Sequence, residues 1–132
     1  KDKQDTANAQ AVQAQFEQQK VEFVSNINIL LDKAEQDSER GLNSENDVFE
    51  KSLIAAYCAY DEIQTTLDND SVYNVEVPDL QGKKKNVFDA LVLAQQQFSE
   101  QAAALEPLGE TEQAGVYRQR AQAIEEFIKN HK

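Results

Sequence analysis

Apolar residues recur every three or four positions along most of this chain, and the rhythm breaks once. From about Asp5 to Ser38, Phe16, Phe23, Ile27, Leu30 and Ala34 follow a seven-residue beat that Val12, Val24 and Leu31 widen. That spacing predicts a long helix with one core-facing side. Phe49, Leu53, Ala56, Tyr60, Ile63 and Leu67 come next at intervals of 4, 3, 4, 3 and 4, the clearest helical stripe in the chain. A third helix is predicted from near Asn86, which with Asp89 makes a capping pattern; it carries Phe88, Leu91, Val92, Phe98, Ala102 and Leu105. Ala114, Tyr117, Ala121, Ile124, Phe127 and Ile128 define a fourth.

Two of the three connections are short. Gly41 suits a helix end, and Ser44 with Asp47 resembles a capping box that starts the second helix. Pro107 and Gly109 end the third helix and leave Thr111 to cap the fourth. Four amphipathic segments joined this way predict an all-α protein, an antiparallel four-helix bundle forming a single domain over residues 1–132. Residues 1–11 are a polar, alanine-containing lead-in, expected to overhang the body, to fray, or to act as a tether. The connection between the second and third helices spans residues 68–85 and reaches roughly 60 Å if extended, longer than the helices at about 30 to 36 Å. Both a parallel and an antiparallel arrangement of those two helices are therefore open, and the simpler up-down-up-down order is preferred.

Within that connection Tyr73, Val75 and Val77 alternate with Asn74 and Glu76, and Pro78 follows. A period of two fits a partly extended segment lying on the bundle with one apolar side. Such a segment either seals the helices or offers an edge to a partner strand. Val72, Tyr73, Val75 and Val77, with Lys83, Lys84 and Lys85, are the candidate partner-binding residues. The three lysines do not complete a phosphate-binding loop, because Val77 and Lys84 stand where glycine and Ser or Thr are needed. They are expected to neutralise Asp68, Asp70, Glu76 and Asp79 of the same stretch, or to meet an acidic group on a partner.

Composition narrows the function. A formal charge of −11 disfavours nucleic acid and anionic membrane as partners. No apolar run is long enough to span a bilayer. Cys58 is the single cysteine, so no internal disulfide forms, and in "AAYCAY" it is expected as a small buried apolar side chain. His131 is the single histidine, which leaves no Ser/His/Asp or Cys/His set, no Glu-x-x-His di-iron pattern and no haem attachment motif. A calcium-loop start at Asp68 and Asp70 fails at Val72 and Tyr73. No cofactor or metal is expected. The chain opens at Lys1 and contains no methionine, from which a removed upstream segment is expected: a signal peptide or lipoprotein leader, or else a membrane helix or a disordered stretch.

These readings converge on a non-catalytic, extracytoplasmic bacterial helical bundle, periplasmic or lipoprotein-like at the cell envelope, that binds a protein partner. Two alternatives stand beside it. One is a small-molecule sensor with a pocket lined by Tyr57, Tyr60 and Tyr117. The other is an acidic cytoplasmic secretion chaperone.

Overall fold

The computed structural model describes residues 2–131, with side chains from Thr6 onward. Four helices make the body: α1 (Asp2–Leu42), α2 (Val48–Asn69), α3 (Leu80–Leu105) and α4 (Thr111–His131). Short 3-10 turns occupy Ser71–Tyr73 and Glu106–Leu108, and among the described residues no strand forms. Close packing runs from α1 to α2, α2 to α3 and α3 to α4, with a smaller contact between α2 and α4.

Contacts along each seam settle the topology. Gly41 near the end of α1 lies against Phe49 and Leu53 near the start of α2. Gln81 at the start of α3 bonds Gln64 near the end of α2, and Lys84 one turn later bonds Asp61 one turn earlier. Phe98 of α3 meets Tyr117 of α4, and Glu106 pairs with Arg118. The bundle is thus up-down-up-down. No described helix is long and apolar enough to cross a membrane.

α2 has neighbours on several sides, which explains its wide buried face: Leu53, Ala56, Tyr57, Ala59, Tyr60 and Ile63 are all enclosed. Ile27 and Ala34 of α1, Val87 and Leu91 of α3, and Ile124 and Phe127 of α4 close around it. Gly41 is needed for close approach, since an added Cβ would stand 2.9 Å from the Phe49 carbonyl oxygen and 3.0 Å from Leu53. Its expected role as a helix end is replaced by packing, because α1 continues to Leu42.

That continuation also displaces the expected capping box. The Ser44 hydroxyl donates back to the Arg40 carbonyl at 2.7 Å, and the Val48 N–H is met by Asn46 Oδ1 at 3.0 Å. Asp47 makes no side-chain cap bond and pairs with Lys51 at 2.8 Å. Below this corner Glu50, only 2% exposed, receives Arg120 of α4 through two bonds, Nε to Oε2 at 2.7 Å and Nη2 to Oε1 at 2.8 Å. Nη2 of the same guanidinium donates to the Asn46 carbonyl at 2.8 Å, and its centre lies 4.2 Å over the Phe98 ring. One arginine therefore ties α4 and α3 to the α1–α2 corner.

Two further expectations are corrected. The third helix begins at Leu80, six residues before Asn86, so the connection shrinks to residues 70–79. The reason is a stripe of Leu80, Val87, Leu91 and Ala94, all buried, that extends the helical beat backward through the lysines. Cys58 is exposed rather than buried, because the inward faces of α2 are taken by Ala56, Tyr57, Ala59 and Tyr60. The protein around its sulfur, and then the Asp61 carboxylate, push the thiol pKa up, which holds it in the unreactive protonated form.

Candidate functional site

The α2–α3 connection is built from short-range rules. Asp70 follows the last turn of α2 and returns its N–H to the Thr66 carbonyl. The Ser71–Tyr73 turn closes with the Tyr73 N–H on Asp70 O at 3.2 Å and the Asn74 N–H on Ser71 O at 2.9 Å. Asn74 takes the left-handed conformation at φ 51°, which asparagine tolerates better than most residues. The backbone is then free of regular structure through Val77. Pro78 and a second left-handed residue, Asp79 at φ 57°, turn it into α3. The Asp79 carboxylate folds over the first turn of α3 and occupies the space beside Gly82, where an added Cβ would fall 2.2 Å from Oδ1 and turn that side chain aside.

The alternation read from the sequence is present in space. Tyr73, Val75 and Val77 are half-buried, whereas Asn74 and Glu76 point to solvent. Val77 packs against the core cluster, and Tyr73 stacks obliquely on two α1 rings, 4.8 Å from Phe23 and 5.4 Å from Phe16. Val72 is 70% exposed beside them. Among the described residues, Val75, Glu76 and Val77 make no intramolecular backbone hydrogen bond. These three residues border an open cavity of about 640 Å³ whose lining also includes Gln64, Leu67, Ser71, Pro78 and Gln81. A chain of amides crosses it: Gln81 Nε2 donates to Gln64 Oε1 at 2.7 Å, and Gln64 Nε2 donates to Asp68 Oδ1 at 2.9 Å.

The lysines stand in the first two turns of α3, not in the loop, and their partners are helical acids. Lys83 meets Glu35 of α1 at 2.8 Å, Lys84 meets Asp61 of α2 at 2.6 Å, and Lys85 meets Asp89 of its own helix at 2.9 Å. The expected neutralisation by Asp68, Asp70, Glu76 and Asp79 is replaced by straps across helices, because helical geometry points three successive side chains at three different neighbours. The bond to Glu35 raises the pKa of Lys83, with burial opposing. For Lys84 burial is the largest influence and acts downward, yet Asp61 and Tyr57 together outweigh it and the pKa is raised.

The three tyrosines do not share a pocket. Tyr57 joins Phe88, Phe127 and His131 in an aromatic cluster, with Lys84 Nζ 5.2 Å from its ring centre. Tyr60 borders a separate groove of about 220 Å³ with Ser38 and Lys83, and burial first, then Glu35, raises its hydroxyl pKa. Tyr117 lies with Phe98 and Arg120 at a third cavity of about 580 Å³. Sequence reading missed Leu80, the Gln64–Gln81 bridge and the Glu50–Arg120 pair; only the first had a signal, the backward extension of the α3 stripe. Set against known proteins, the chain matches no family model, no curated protein and no solved structure.

Proposed function

We propose that this protein is a non-catalytic interaction module whose α2–α3 connection receives an extended segment of a partner protein. The observation that carries this reading is the run Val75–Val77, which has no regular structure, turns Glu76 to solvent between two half-buried valines and makes no internal backbone hydrogen bond. A partner strand laid along it gains main-chain hydrogen bonds, while the adjoining cavity receives alternate side chains. Asp68, Glu76 and Asp79 surround the edge, so the matching segment carries Lys or Arg beside small apolar residues. An extracytoplasmic setting belongs to the same proposal and is tested by fractionating cells of the source organism.

The test places a photo-reactive benzoylphenylalanine at position 76, with position 96 on the exposed side of α3 as control. Crosslinked products are then isolated from native extracts. A protein captured at 76 but not at 96, and lost when Val77→Pro removes one N–H, supports strand capture, provided circular dichroism is unchanged. Equal capture at both positions, or capture indifferent to Val77→Pro, overturns it.

A further inference from the structure

α1 outlasts its partner. It has 41 residues against 22 in α2, and the last ring contact it makes toward its N-terminal end is Phe16 on Tyr73. Every side chain from Thr6 to Gln15 is exposed, on a helix that runs about 20 Å beyond the body. A helical extension of this length is marginal in water by itself.

The extension keeps the stripe that α1 buries further along. Ala9, Val12 and Phe16 fall on the side that Phe23, Ile27, Leu30 and Ala34 turn toward α2, and Val12 is 66% exposed there. The α1–α2 seam therefore continues past the end of α2 with one wall missing. Charge singles out what can supply that wall. Lys1 and Lys3 balance Asp2 and Asp5, residues 6–16 carry no charge, and the whole formal −11 sits on residues 17–132. Two copies repel through their bodies and do not repel through their extensions.

We propose that the extension of a second copy fills this place, giving a two-fold, antiparallel helix pair. Antiparallel pairing sets the two acidic bodies at opposite ends of the contact, whereas parallel pairing would hold them side by side and align Glu17 with Glu17. With the crossing near Val12 and Gln13, Phe16 of one copy lies level with Ala9 of the other, and each tip reaches the partner's ledge of Phe16, Tyr73 and Val72. Ala9, the small residue of the contact stripe, leaves room for the helices to approach closely. Two helices touching over this distance bury less than the ~1,200 Å² of a standard interface, so the pair is reversible.

Sedimentation of the full chain tests the proposal. The weight-average mass is expected to rise from 14.9 kDa toward twice that value as concentration increases from about 5 µM to about 500 µM. Val12→Glu is expected to hold it at the monomer value, while Ala14→Glu, the same charge change on the opposite side of the helix, leaves association intact. A monomer at every concentration, or equal loss from both substitutions, overturns the proposal. Orientation is read in a Cys58→Ser background: Ala9→Cys mixed with Phe16→Cys is expected to form the mixed disulfide in preference to the Ala9→Cys homodimer. Preferential homodimer crosslinking overturns the antiparallel arrangement.

Discussion

At the α1–α2 corner a buried carboxylate, a guanidinium and the Asn46 carbonyl answer one another, and the Val48 N–H has its own partner in Asn46. At the opposite end of α2 the chain is held by apolar side chains instead, Tyr73 on two phenylalanines and Val77 on the core, while the backbone of residues 75–77 stays unbonded within the molecule. The contrast teaches that anchorage and satisfaction are separable. The corner is locked because its polar groups are internal and matched. The connection is positioned by its side chains, which leaves its main chain available to another molecule.

Breaking the locked end gives the largest expected effect. Arg120→Ala leaves Glu50 buried without its partner and is expected to cost about 3 to 5 kcal/mol in urea unfolding. Glu50→Leu combined with Arg120→Leu is expected to recover most of that loss, since an apolar pair carries no stranded charge. A single-variant loss below about 1 kcal/mol would erase the distinction between the two ends.

Tyr73→Ala loosens the other end. Loss of two ring contacts is expected to cost on the order of 1 kcal/mol, and amide exchange should quicken in the connection and around Phe16 to Phe23 of α1. Exchange at Val48 to Glu50 should stay unchanged; acceleration there would mean that the ends are coupled.

The smallest effect is electrostatic. Lys83 and Lys84 have folded-state pKa values raised above the ordinary 10.5, so their contribution is complete below that value and is lost as pH climbs through the raised values. Both pairs are partly solvated, and the loss is expected to stay under about 1 kcal/mol. Tyr60 acts in the same direction, because its raised hydroxyl pKa favours the unfolded chain in alkali. The lysine share is read as the part of the alkaline fall in the urea midpoint that Lys83→Met with Lys84→Met removes. An unchanged fall in that variant would show that the straps contribute nothing.

Much of the fold was legible because helix faces repeat along the chain. The α2 stripe from Phe49 to Leu67 and the α4 stripe from Ala114 to Ile128 lie inside or at the edge of the core as their spacing requires. The inward and outward sides of residues 73–77 were equally legible, since an extended chain alternates by geometry. The α3 start was misplaced because lysines and a glycine mask a helical turn whose apolar anchor, Leu80, stands alone. The tyrosines looked like one pocket because tyrosine has the same chemistry wherever it faces, and spacing within two helices does not say which neighbour each will meet.

What this sequence determined by itself was local: four amphipathic helices, their turns at Gly109 and Pro107, the placement of charge outside the long α1 extension, and the two-sided character of the connection. Tertiary structure alone decided which acids the three lysines reach and that Arg120 and Glu50 meet across 70 positions, and it chose overhang among the readings open for the start of α1. The physical reason is range. Backbone geometry and hydrophobic periodicity act within a few residues and are written in order along the chain, whereas ion pairs and unfilled faces depend on how helices of unequal length are brought side by side.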